Sequence, residues 1–175
     1  MPAFLPSVSA VTTRHDTKKD PLVIPGEPRL RPVAATLMNL HTHEAEALDL
    51  APSEEESTRL RRLLRDRTNW EEHAMAPSVI ATLRAAVVTL GARRVEVVSG
   101  YRSDKLNEML RKKGRHVAQR SQHVLGNAVD FRLVGVALPS LLAFVRRVHV
   151  GGIGAYRNSA FVHVDAGPVR QWRGE

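Results

Sequence analysis

Two short segments, Ser121-Gln-His-Val-Leu-Gly-Asn-Ala-Val-Asp130 and Phe161-Val-His-Val-Asp165, restrict the folds open to this chain more than any other feature. Strand alternation in Ala128–Leu133 puts Ala128, Asp130 and Arg132 on one face and Val129, Phe131 and Leu133 on the other. The apolar set seeks a core, so Asp130 points away from it. In the second segment Phe161, His163 and Asp165 share a face opposite Val162 and Val164. His123 and Asp130 would stand roughly 10 Å apart on a straight helix and roughly 23 Å apart in an extended strand. Bringing them together demands a turn, and Gly126-Asn127 supplies one, because Gly takes positive φ at little cost and Asn tolerates it.

Two imidazoles and a carboxylate in such settings read as a metal site. Zinc holds N and O ligands at about 2.0–2.2 Å with four tetrahedral positions. His123, Asp130 and His163 fill three and leave the fourth open, as in catalytic rather than structural sites. The chain has no cysteine, which excludes disulfides and thiolate zinc sites. His41 and His43 also share a strand face, a weaker metal signal because they lie far from the other ligands in sequence.

Around these segments stand Ser99-Gly-Tyr-Arg-Ser103, Gly151-Gly-Ile-Gly-Ala-Tyr156 and Phe161-Val-His-Val-Asp-Ala-Gly-Pro168, with Asn39-Leu-His-Thr42 and Leu63-Leu-Arg-Asp66 upstream. Together they resemble the zinc D-Ala-D-Ala peptidases and murein endopeptidases, in particular the YcbK-like branch, related to lysostaphin-type and hedgehog-like metallopeptidases. The resemblance spans about Leu37 to Trp172. It implies an α+β, hedgehog/DD-peptidase-like fold, one zinc ion on His123, Asp130 and His163, and hydrolysis of peptidoglycan amide bonds involving D-amino acids. The expected activity is a murein D,D-endopeptidase, with carboxypeptidase as a variant. The alternative is a noncatalytic zinc-containing, cell-wall-binding module of the same fold.

The resemblance also implies roles. Arg102 grips the peptide near the scissile bond, which suits a planar guanidinium, or else pins a loop. Ser121 hydrogen-bonds around the metal and substrate, or caps a turn. Many relatives carry an acidic base three residues before the last histidine ligand, where this chain has Ala160. Asp165, on the same strand face as His163, is then the expected base, with a second role as an orienting or turn carboxylate kept open; Glu108 and His116 are weaker substitutes. Tyr156 and Arg102 are candidates to stabilise the oxyanion beside zinc.

A net charge of +8 and pI near 10.7 imply attraction to polyanions. With two Trp, two Tyr and four Phe there is little aromatic interleaving for base stacking and no standard nucleic-acid motif, so no nucleic-acid partner is expected; the resemblance implies peptidoglycan stem peptides or crosslinks as the partner. Residues 1–32 read as an irregular arm and 33–175 as one peptidase domain. No apolar run approaches the roughly 20 residues that span a bilayer. No signal peptide is visible, although the expected location is extracytoplasmic, periplasmic or secreted.

Local signals give the elements. A strand is expected in Val33–His41, followed by a capping box at Ser53 and Glu56 opening a helix that buries Leu60, Leu63 and Leu64. A Pro77-initiated helix with Ile80, Leu83, Val87 and Leu90 on one side should stop at Gly91. A strand over Arg93–Ser99, a Ser103-capped helix ending near Gly114 and a helix over Leu138–Val150 complete a mainly antiparallel sheet with flanking helices.

Overall fold

The computed structural model describes residues 33–114 and 118–174; the arm expected at 1–32 and the base candidate His116 lie outside the described residues. Seven strands form one sheet: β1 (Val33–Asn39), β2 (Ala45–Asp49), β3 (Arg94–Ser99), β4 (Ala128–Leu133), β5 (Gly152–Tyr156), β6 (Phe161–Asp165) and β7 (Arg170–Gly174). Their spatial order is β2-β1-β3-β4-β6-β5-β7. The sheet is mixed rather than simply antiparallel, because β1 pairs with β3 and β5 with β7 in parallel. α1 (Glu54–Leu63) and α2 (Pro77–Leu90) follow β2 and carry the chain to the other side of β1, where β3 runs opposite to β2 and therefore parallel to β1; β7 stands in the same relation to β6 and β5.

The alternation read from sequence decides which face is wet. Val129, Phe131, Leu133, Val162 and Val164 are all fully or nearly buried and join one core with Leu63, Leu64, Leu83 and Val87. In α2 the buried stripe is Val79, Thr82, Leu83, Ala86 and Val87, while Ile80 and Leu90 only flank it. The expected face is therefore rotated towards Val79. Gly91, at φ 69°, ends that helix in the left-handed region. Burying this set beneath α2 and α4 (Leu138–Val148) supplies the main driving force for folding, at about 25 cal/mol per Å² of apolar surface.

Half of the expected capping box forms. Ser53 Oγ accepts from Glu56 N–H at 3.1 Å, but the Glu56 carboxylate, almost wholly buried, accepts from Asp49 N–H at 2.7 Å and pairs with Arg84 of α2. A tertiary partner outcompetes the local one because a buried carboxylate needs a cation. Ser103 caps α3 (Asp104–Lys112) as expected, accepting from Leu106 N–H.

Candidate metal centre and cavity

Two upstream segments build a platform for His123. Asn39 Nδ2 donates to Leu63 O at 2.9 Å and its Oδ1 accepts from His41 N–H, tying the end of β1 to the end of α1. Leu64 O accepts from Tyr101 N–H at 2.7 Å, and a Cβ at Gly100 would stand 2.5 Å from that same Leu64 oxygen, so only glycine permits the approach. Asp66, fully buried, accepts from Ser103 N–H at 2.7 Å and from Thr68 N–H and Oγ1–H at 2.6 Å. The loop thus held presents Gly100 O to His123 Nδ1 at 2.7 Å. A carbonyl only accepts, so Nδ1 carries the hydrogen and Nε2 is left as a lone-pair donor.

His123 sits in a 3-10 turn (Gln122–Leu125) capped by Ser121, whose Oγ accepts from His123 N–H at 3.3 Å. Gly126, at φ 67°, ends the turn, and a Cβ there would collide with Ala74 O and His73. The Gly126-Asn127 turn then feeds β4, where Asp130 lies opposite Ser99 on one side and His163 on the other.

The side chains converge. His123 Nε2 is 3.2 Å from His163 Nδ1 and 3.3 Å from Asp130 Oδ2, and His163 Nδ1 is 2.7 Å from Asp130 Oδ1. All three residues are buried, and one ligand atom from each lies within 4.8 Å of the others. Tetrahedral ligands at zinc distances stand about 3.3–3.4 Å apart, so the two edges that meet at His123 are close to that size and the His163–Asp130 edge is shorter.

Charge is tightly held here. Burial lowers His123, and Arg102 adds to it, leaving that imidazole at about 4. Burial opposes ionisation of Asp130, yet His123 and His163 outweigh it and hold the carboxyl well below the usual range. Burial likewise opposes charge on His163, but Asp130 and Asp165 raise it. Asp165 is driven the other way from its burial by His163, Gly167 N–H and Arg170, down to about 2.

Asp165 occupies a different place from a base. Its Oδ2 receives His163 Nε2–H at 2.9 Å, on the ring nitrogen facing away from the cluster, and Arg170 Nη2 at 2.7 Å. Its Oδ1 accepts from Gly167 N–H at 2.8 Å and Arg170 Nη1 at 3.3 Å. Fully buried and with both oxygens engaged, it turns the His163 ring so that Nδ1 faces His123 and Asp130. Both oxygens of the expected general base therefore have protein partners. Ala160 lies in the β5–β6 hairpin at φ 52° and is exposed. Glu108 is an exposed α3 residue paired with Lys112.

The remaining expected residues divide. Arg102 donates to Asp130 Oδ2 at 2.9 Å and to Ser99 Oγ at 2.8 Å, bordering the cluster. Tyr156 stacks on Phe161 and accepts from Trp172 Nε1–H at 3.2 Å. Ser121 borders the same cavity, but its oxygen serves the backbone of His123. His41 and His43 join no metal group among the described residues.

Sequence reasoning missed β7 and its two functional side chains. Trp172 packs against the His163 ring at 5.0 Å between centroids, and Arg170 lies over Trp172 at 5.0 Å while clamping Asp165. The signal was present in Gly151-Gly-Ile-Gly154. A Cβ on Gly152 would overlap the Asp165 carboxylate, and one on Gly154 would lie 2.6 Å from Trp172. Those glycines exist because two large side chains lie across β5.

The cluster opens into a cavity of about 1050 Å³, bordered by Arg67, Arg102, Arg120, Arg132, Arg170 and Arg173. Asp130 is the one carboxylate among its described lining residues.

A family profile described as peptidoglycan L,D-endopeptidase MepK matches residues 28–172. The chain is 36% identical over 147 residues to the peptidoglycan L,D-endopeptidase MepK of Escherichia coli K12, covering 81% of each protein. It is 40% identical over 114 residues to the probable peptidoglycan L,D-endopeptidase MepK of Haemophilus influenzae, covering 64% of this chain and 61% of that protein. The chain thus spans about three fifths of the latter's length. No solved structure matches. These relatives correct the expected D,D-endopeptidase or carboxypeptidase specificity, since both are named for an L,D activity. The noncatalytic alternative gives way with it, because the family is one of peptidases.

Proposed function

The chain belongs to the peptidoglycan L,D-endopeptidase MepK family, and from that premise we propose that it hydrolyses L,D amide bonds of peptidoglycan crosslinks with one zinc ion on His123, Asp130 and His163. The convergence of two lone-pair nitrogens and a carboxylate, each histidine pinned through its outer nitrogen, is the observation that supports this most. The donor set fits: two imidazoles and one carboxylate without thiolate suit a three-ligand, open zinc site. Bound there, zinc supplies Lewis acidity towards an amide carbonyl and acidifies water towards neutral pH.

The protein's own groups do the rest. Gly100 O and Asp165 hold the two rings in register, so the donor atoms need no reorganisation. Arg102, anchored to Ser99 and Asp130, turns its remaining N–H groups to a substrate carbonyl or carboxylate. The Tyr156 hydroxyl accepts from Trp172, which frees its hydrogen for a developing oxyanion. The arginine-rich wall attracts the carboxylates of stem peptides. Peptidoglycan as substrate places the action outside the cytoplasmic membrane, and no described helix is long and apolar enough to cross one. The catalytic domain is 33–175, and its architecture is read as hedgehog/DD-peptidase-like.

Digestion of purified peptidoglycan with mass analysis of products tests this. Native protein is expected to convert L,D-crosslinked dimers to monomers, to stop on chelation and to recover with zinc. Zinc-loaded native protein that releases no L,D product refutes the reading.

A further inference from the structure

Asp165 is committed to His163 and Ala160 lies in a hairpin turn, so the group that carries the proton of hydrolysis is sought among the other described residues of the cavity. The carboxylate and guanidinium side chains bordering the cavity, among the described residues, are Asp130 and the six arginines; the imidazoles and phenol there are His123, His163, His41 and Tyr156. Arginine does not deprotonate, the Tyr156 hydroxyl is held by Trp172, and His123, Asp130 and His163 are engaged with one another. His41 is what remains.

Its position is built rather than incidental. Asn39 Oδ1 accepts from His41 N–H at 2.9 Å and from Thr42 N–H at 3.3 Å, and Leu40 N–H donates to Val97 O, closing the end of β1 over β3. His41 borders the same cavity as Val98 and Ser99, and Ser99 of β3 is paired with Asp130 of β4. With strands spaced about 4.8 Å apart, the β1 backbone stands about 10 Å from that of β4, and a bound amide lying between imidazole and cluster fills the gap. The groups facing it are cationic or neutral: Arg67 from the loop after α1, Arg102 from the loop after β3, and His43 from its own turn. Burial first, then Arg67 and Arg102, lower its pKa, so the ring is neutral and able to accept at neutral pH.

We propose that His41 is the proton carrier of the hydrolysis. It takes a proton as the water oxygen bonds to the amide carbon. It returns that proton to the nitrogen, which departs with the electron pair of the broken C–N bond. The second water proton stays on the new carboxyl group, so the products are a carboxylic acid and an amine, and no further reactant is needed. This rests on the amide-hydrolase reading above.

The test compares native protein with His41→Gln, His41→Ala and His116→Gln on L,D-crosslinked peptidoglycan, measuring kcat, KM, zinc content and the pH dependence of kcat/KM. In His41→Gln, kcat is expected to fall about 10²–10⁴-fold, with zinc content unchanged, KM within about threefold of native and the acid limb of the profile lost. Added imidazole is expected to restore part of the activity of His41→Ala, which a merely structural role would not allow. Retention of kcat within about threefold of native with the acid limb intact, or loss of that limb in His116→Gln instead, overturns the assignment. If zinc-loaded native protein itself gives no product, the hydrolase reading fails and the assignment falls with it.

Discussion

Replacing Asp165 with Asn separates the two roles a carboxylate beside a metal-binding histidine can have. The side chain keeps its shape but loses its charge, so the 2.9 Å contact with His163 Nε2 no longer fixes the hydrogen on the outer nitrogen. The amide can donate there instead, which pushes the hydrogen to Nδ1, where a cation needs a lone pair. Loss of such an orienting partner costs about 10–100-fold in metal affinity, or about 1.4–2.7 kcal/mol. Folding stability of the metal-free protein should fall as well. The buried charge-assisted bond is worth about 1.5–3 kcal/mol. The Arg170 pair adds little, because that side chain is 44% exposed and such pairs are worth about 0–1 kcal/mol. Competition against a chromophoric chelator gives the zinc affinity, and urea melts in chelator give the stability. A base would behave differently: kcat would fall about 10²–10⁴-fold at saturating zinc with affinity intact. A zinc Kd within about twofold of native, together with that loss of kcat, would falsify the orienting role.

Three further outcomes follow from the same geometry. Gly152→Ala places a methyl on the Asp165 carboxylate, so zinc affinity should drop at least tenfold while Gly91→Ala, open at its Cβ, changes only stability; equal zinc affinity in both proteins would contradict this. Asp66 has its carboxyl lowered because hydrogen bonds from Ser103 and Thr68 together outweigh burial; its stabilisation is therefore full above the unfolded pKa of about 3.9 and fades as pH falls through the lower folded value. Asp66→Asn should cost about 1.5–3 kcal/mol at pH 7 and progressively less below pH 4 in urea melts, and a difference that does not change with pH counts against the argument. Ala160→Gly relieves a left-handed alanine at an exposed turn and should raise stability by about 0.5–1 kcal/mol without altering zinc binding, read as a shift in thermal midpoint.

Much of the fold was legible because its signals are local. Ser53, Ser103, Gly91 and Gly114 marked helix ends through chemistry completed within a few residues, and the alternation in β4 and β6 named the wet and dry faces. The three converging residues were also readable, from the Gly-Asn turn and two strand faces together with the resemblance that the surrounding motifs carry. Glu56 misled because its local partner and its tertiary one, Arg84, look alike from the sequence until α2 is placed beside α1.

The sequence by itself determined which face of β4 and of β6 carries Asp130, His163 and Asp165. Tertiary structure alone decided what each meets there. Strand period says that His163 and Asp165 share a face, yet not that the carboxylate takes the outer ring nitrogen, because that depends on how the His163 ring turns between Asp130 and Trp172. Gly152 and Gly154 spell out a requirement for space whose occupants come from β6 and β7. Periodicity records the direction in which a residue points; the strand order β4-β6-β5-β7 supplies the neighbour it points at.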